Sequence, residues 1–237
     1  MEWPNEIGLV FMPGLDGTGL TYGPLQEKMP ANTQATVVSY PTDRILSYQE
    51  LVQYAYRQLP ENKPVVLIAE SFSGPIAITL ASSFPSNIRG VIFCATFARS
   101  PHPILFRTTK YLPLSMLFRL PVPDTLLYFL CGERMFSERL IPLFRQIERL
   151  VKPEVVAHRI RMLSGVDVVK GLRKLHMPCC YIQAVHDMIV PARCVLPFKQ
   201  NLSNLVVKRV EGPHGILQAQ PEECSQIIMG FVSSLTP

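Results

Sequence analysis

The chain has 237 residues, 48% apolar and 17% charged, enough for one sizeable core and too apolar for a disordered chain. Its net charge is +5, unevenly placed: residues 99–174 hold 14 Lys/Arg and 6 Asp/Glu, a net +8, and the rest of the chain holds 9 and 12, a net −3. No recognised nucleic-acid module accompanies the basic stretch, which argues against a nucleic-acid partner.

The chain starts Met-Glu-Trp-Pro-Asn-Glu, acidic and without an apolar run, so no secretory signal is read there and a cytoplasmic location is expected. Ile7 to Met12 is short and uniformly apolar, the pattern of a strand buried on both faces of a parallel sheet. It runs into a glycine-rich loop, Pro13-Gly14-Leu15-Asp16-Gly17-Thr18-Gly19, in which Asp16 is expected to brace the turn. That loop lacks the Gly-Lys-Ser/Thr ending of a P-loop and the glycine order of a dinucleotide site. Leu20 to Lys28 reads as a short helix and Ala35 to Tyr40 as a second strand. Ser47 to Leu59 has helical spacing, with Ser47 as N-cap and Glu50 at the capping-box position. Pro64 to Ala69 is a third strand, Phe72 to Phe84 a helix, and Gly90 to Ala95 a fourth strand.

From Arg99 to His176 the alternation stops, and the segment is helical, basic and punctuated by prolines. Its most lipid-like part, Tyr111 to Leu130, contains Arg119, Asp124 and prolines 113, 121 and 123, which excludes a spanning helix. The alternation resumes with strands at Cys179 to Ala184 and Leu205 to Val210, a helix at Ala192 to Asn201, and a terminal helix at Ile216 to Leu235. The expected architecture is α/β, a mostly parallel six-stranded sheet flanked by helices. One domain is formed by residues 1–98 and 177–237, interrupted after the fourth strand by a helical insertion, 99–176.

Six cysteines (94, 131, 179, 180, 194, 224) show neither C-x-x-C nor zinc spacing and are expected to be reduced, mostly buried thiols. No metal or organic cofactor is implied.

Three loops at the carboxyl ends of strands carry the chemistry. The first is Ala69-Glu70-Ser71-Phe72-Ser73-Gly74, where a serine is flanked at two residues on each side by a small side chain. A nucleophilic hydroxyl needs such a tight strand-to-helix turn, and the usual form is G-x-S-x-G; here Ala69 and Ser73 replace both glycines. The second is Val185-His186-Asp187-Met188-Ile189-Val190-Pro191 and the third Glu211-Gly212-Pro213-His214-Gly215. Loops at this edge of a parallel sheet converge. Taken singly, each residue has a plainer role: Ser71 in a turn, Asp187 capping a helix near Pro191, His214 on a surface loop. Glu70 is expected to face solvent or cap a helix, with electrostatic tuning of His214 as the alternative, and His186 to be solvated or to sit behind the site.

Together, Pro13-Gly14, Ser71, Asp187 and His214 resemble the serine hydrolases of α/β-hydrolase fold, over essentially the whole chain outside the insertion. The resemblance implies Ser71 as nucleophile, His214 as proton carrier, Asp187 as the group orienting the imidazole, and an oxyanion hole of the Leu15 and Phe72 backbone N–H groups. The family often has His-Gly where this chain has Pro13-Gly14. A serine nucleophile implies acyl transfer through an acyl-enzyme and excludes the carboxylate-nucleophile members. The expected function is hydrolysis of carboxylic esters with a hydrophobic acyl group. The same triad serves a thioesterase or an acyltransferase, and a non-catalytic binding protein of this fold is the rival from another class. In this fold the insertion forms a cap over the site. Its apolar residues, among them Phe106, Tyr111, Leu112, Leu114, Met116, Leu117, Phe118, Leu126, Leu127, Tyr128 and Phe129, would pack on the main domain or line an acyl pocket. Its cations, among them Arg107, Lys110, Arg119, Arg134, Arg139, Arg145, Arg149, Arg159 and Arg161, would face solvent, anionic lipid or an acyl carrier.

Overall fold

The structure, a computed structural model, describes residues 6–84, 86–123, 125 and 134–235, with side chains from 140 onward in the last range. Met1 to Asn5, Asp124, Cys131, Leu126, Leu127, Tyr128, Phe129 and the side chains of Arg134 and Arg139 lie outside the described residues.

Six strands form one sheet: β1 (Gly8–Met12), β2 (Ala35–Val37), β3 (Val65–Glu70), β4 (Ile88–Cys94), β5 (Cys179–Ala184) and β6 (Leu205–Val210). Their spatial order is β2-β1-β3-β4-β5-β6 and every pairing is parallel. The central strands β1, β3 and β4 are buried almost throughout, as uniformly apolar runs must be when helices cover both faces. Alternate residues feed two cores. Val10, Leu67, Val91 and Tyr181 point into one, and Leu9, Ile68, Ile92 and Ile182 into the other. The adjacent Cys179 and Cys180 therefore enter opposite cores. The second strand is shorter than expected and ends at Val37.

The chain winds outward from β1 to β2, then crosses back to place β3 on the other side of β1. Loops leaving β1 and β3 thus diverge, which opens a crevice at their carboxyl ends. The first helical segment is a 3₁₀ turn, Leu20–Tyr22, followed by α1 (Gly23–Gln26). Helix α2 (Tyr48–Tyr56) starts from the expected capping box, with the Ser47 and Glu50 side chains bonding reciprocally to each other's backbone N–H. Helix α3 (Ser73–Ser83) follows Ser71 and Phe72.

After β4 come α4 (Pro103–Thr108), α5 (Leu114–Leu117), α6 (Arg134–Leu150), α7 (Pro153–Met162) and α8 (Val169–Leu172). The excursion is cinched at its base. Arg99 pairs with Asp167 in an antiparallel bridge, Ser100 donates to Val166 O (2.9 Å) and Val168 to Ala98 O (2.8 Å). Gly171 on α8 lies against Ile78 of α3, where an added Cβ would stand 2.9 Å from Ile78 Cγ2.

Helix α9 (Leu196–Asn201) precedes β6. The terminal helix expected at 216–235 is two helices, α10 (Ile216–Ala219) and α11 (Pro221–Ser233). Pro221 has no N–H to continue α10 and suits the first turn of a new helix, so the break falls there. No helix among the described residues is long and apolar enough to cross a membrane.

Candidate active site

Ser71 follows β3 directly and has φ +48°, one of two non-glycine residues in the left-handed region among the described residues, with Ala95. For a residue with a Cβ this conformation costs about 1–3 kcal/mol and persists only where the surroundings enforce it. They do so here. Ser71 N donates to Cys94 O (2.9 Å), Gly74 N donates to Ser71 O (3.1 Å), and Thr96 Oγ1 also donates to Ser71 O. Thr96 is fixed in turn by Tyr181, whose hydroxyl donates to Thr96 O at 2.5 Å.

The two non-glycine flanks have structural reasons. Ala69 is fully buried within β3. Ser73 is also fully buried, and its hydroxyl donates to Pro13 O and bonds the Tyr40 hydroxyl at 2.7 Å. The glycine that the close approach requires stands one place later. A Cβ on Gly74 would lie 1.9 Å from Thr96 Oγ1.

The other two loops meet this turn. His214 Nε2 is 2.8 Å from Ser71 Oγ, and His214 Nδ1 is 2.8 Å from Asp187 Oδ2. The second Asp187 oxygen accepts from the backbone N–H groups of Ile189 (2.9 Å) and Val190 (2.8 Å), which locks the carboxylate's orientation. The Asp187 side chain is 3% exposed and that of His214 17%. The neighbouring His186 turns away to solvent, its Nε2 2.9 Å from Glu211, both side chains largely exposed.

Leu15 and Phe72 flank Ser71 in the wall of one cavity. Among the described residues neither backbone N–H donates to a protein acceptor, although each sits in a tightly bonded loop. The loop carrying Leu15 is braced twice. Thr18 N and Thr18 Oγ1 both donate to Asp16 Oδ1, the former at 2.8 Å. Arg159, on α7, donates to Leu15 O (2.9 Å), Asp16 O (2.7 Å) and Pro41 O (2.9 Å). Gly17 has φ +74°, and an added Cβ would stand 2.5 Å from Arg159 Nη1, so a side chain here would be strained and would displace the guanidinium.

Arg159 corrects an expectation. Grouped by sequence with the outward-facing cations, it is 3% exposed, points into the protein and stacks 5.7 Å over the Tyr40 ring. Glu70 corrects another. It is buried, not solvent-facing, and accepts from Gln218 Nε2 at 3.1 and 3.3 Å. Burial pushes its carboxyl above the usual carboxylate range, while the Gln218 bond and the nearby His214 pull the other way. Gln218, Thr96, Tyr40 and Arg159 support the site and belong to no motif; of these, a lone arginine on an amphipathic helix gave no sign of which way it would turn.

The cavity has a volume of about 480 Å³. The core contributes Ser71, His214, Glu70 and Gln218; the insertion contributes apolar walls, among them Phe106, Phe118, Leu140, Phe144 and Ile147. His102 ties the insertion to the Asp187 loop, its Nε2 lying 2.9 Å from Ile189 O. No cluster of three or more His, Cys, Asp or Glu side chains suited to a metal occurs among the described residues.

No protein-family profile matches the chain, and no curated protein matches it by sequence. Solved structures do match. A lipase-esterase related protein from Clostridium acetobutylicum aligns at 16% identity and TM-score 0.77, covering 95% of this chain and 94% of that one. A bromoperoxidase from Bacillus anthracis aligns at 16% identity and TM-score 0.80, covering 98% and 93%. An esterase from Exiguobacterium antarcticum aligns at 13% identity and TM-score 0.77, covering 98% and 93%. The chain has the α/β-hydrolase fold, with a six-stranded parallel sheet flanked by helices.

Proposed function

We propose that this protein is a serine hydrolase that cleaves carboxylic esters with a hydrophobic acyl group. The observation that carries the reading is the Asp187–His214–Ser71 relay, at 2.8 Å and 2.8 Å, opening into an apolar cavity of about 480 Å³. Esterases among the structural neighbours support the same reading.

In this reading Ser71 Oγ attacks the ester carbonyl as His214 Nε2 takes its proton. Asp187 holds the Nδ1–H and stabilises the imidazolium that forms. The Leu15 and Phe72 N–H groups receive the developing oxyanion, and donors fixed before reaction are worth most there. His214 then protonates the departing alkoxide, which leaves as the alcohol. Water, deprotonated by His214, attacks the acyl-enzyme and releases the acid. The apolar walls favour an alkyl or aryl acyl group over a sugar or a charged peptide.

The test is a series of p-nitrophenyl esters of increasing acyl length, each with and without an added alcohol. A rise in kcat/KM from acetyl to longer chains, abolished by Ser71→Ala, supports the reading. Product that is mainly the new ester when alcohol is present would instead identify an acyltransferase. A preference for matched thioesters would identify a thioesterase. No turnover of any ester by the folded protein would favour a binding role.

A further inference from the structure

We propose that the segment 103–120 of the insertion is a docking surface for an anionic lipid bilayer, and that it sets the mouth of the cavity against the membrane. The second clause rests on the ester-hydrolase reading above; the first does not.

The segment is inside-out in its apolar exposure. Phe106 and Phe118 are half-buried and line the cavity, and Leu114 is buried. Around them the large apolar side chains turn outward: Ile104 (79% exposed), Leu105 (59%), Tyr111 (77%), Met116 (66%), Leu117 (58%) and Leu120 (65%). A folded chain scatters such residues singly; a run of them on consecutive short helices marks a surface that leaves water.

Charge decides what the surface meets. Residues 96–123 contain Arg99, Arg107, Lys110 and Arg119 and no Asp or Glu. Arg99 is engaged by Asp167 at 2.8 Å, at the base of the insertion. Arg107, Lys110 and Arg119 are exposed and join no ion pair among the described residues. Apolar side chains that enter the acyl boundary, beside cations that stay at the phosphates, are what interfacial binding to an anionic leaflet needs. An acyl-carrier protein would be met by cations alone and would leave the apolar side chains in water. Another copy of this chain would set the same cations against each other.

The surface is continuous with the site. Leu120 is both exposed and part of the cavity wall, next to Phe118. A fatty acyl chain passing from the bilayer would therefore move along apolar side chains towards Ser71 without crossing bulk water.

The test is flotation of the full chain with vesicles of phosphatidylcholine alone and of phosphatidylcholine with phosphatidylglycerol, at low and high salt. Binding is expected on the anionic vesicles and to weaken with salt. The triple variant Arg107→Glu/Lys110→Glu/Arg119→Glu should lose affinity by at least on the order of 100-fold, since each cation at the surface contributes about 5-fold and the new carboxylates are repelled. Met116→Ser/Leu117→Ser should also weaken binding, and most at high salt, where the apolar contribution dominates. Both variants should hydrolyse a soluble short-chain ester like the parent, which shows that they fold. Equal flotation with neutral and anionic vesicles, or a triple variant that binds as the parent does, would overturn the proposal. So would concentration-dependent self-association removed by the Met116/Leu117 variant. Hydrolysis intact with no flotation would sink the docking surface alone; flotation intact with no hydrolysis would sink the ester reading alone.

Discussion

The steric demand of the serine turn is met in this chain one residue away from its usual place. Ser73 sits where glycine is customary because its hydroxyl is used, joining α3 to Pro13 O and Tyr40, while Gly74 takes the close approach to Thr96. Gly74→Ala should therefore destabilise the protein by about 1–3 kcal/mol, as overpacking does, read as a shift in urea midpoint at unchanged m-value. Glu70 makes a second prediction, with a definite sign. Its carboxyl is raised by burial, so the folded state favours the protonated form, and its contribution to stability is lost as pH rises through the folded-state pKa. A glutamine there has no such loss. The melting temperature of Glu70→Gln relative to the parent should rise between pH 4 and pH 7, and a difference independent of pH would mean the carboxylate is solvated. Ser71, Asp187 and His214 were legible from sequence because each stands in a short loop at a strand end, where chain position alone brings them together. The burial of Glu70 was not, because Gln218, which bonds its carboxylate, lies 148 residues away.

At the scale of elements, the insertion is both wall and brace. Its helices line the cavity, and Arg159 on α7 holds three carbonyls of the core, two of them in the loop that carries Leu15. Each bond from a charged donor is worth about 1.5–3 kcal/mol, with the losses not additive. Arg159→Met keeps the apolar stem and removes all three. It should lower kcat with KM little changed, because the loop would donate less well to charge that develops in the transition state. A fall in kcat and KM in proportion would speak against that role. Two expectations about elements changed on contact with tertiary structure. The cations of the insertion divide into outward ones such as Arg107 and the inward Arg159, since the helical pattern of α7 does not report which neighbour is a row of carbonyls. The terminal helix broke at Pro221, a signal present in the sequence, because α10 must end there for α11 to pack on the sheet through Ile228 and Val232.

At the scale of the whole molecule, the apolar runs and their alternation with helical segments made the parallel sheet legible, because a strand covered on both faces has no polar option. What they did not carry was the sheet's order or the precise stops of strands such as β2, which depend on partners. The same burial has a pH consequence. Burial raises the thiols of Cys179, Cys180 and Cys224 from the ordinary 9.0 to about 12 and that of Cys194 to about 11, and the Tyr48 phenol from 10.0 to about 12. These groups are held neutral, so the folded chain binds more protons than the unfolded one above the ordinary values. Stability from them is complete below about pH 9 and lost as pH climbs towards 12. Thermal melts should be flat with respect to these groups up to pH 8 and fall steeply above pH 9, and replacing Cys180 with Ala should flatten the alkaline limb. Whether the 2.8 Å contacts make Ser71 a nucleophile is decided by intact-protein mass spectrometry after treatment with a fluorophosphonate. One phosphonyl group per chain is expected, on the peptide holding Ser71, absent from Ser71→Ala and formed far more slowly in His214→Ala. A folded chain that takes no label, or takes it equally without Ser71, would contradict that role for Ser71.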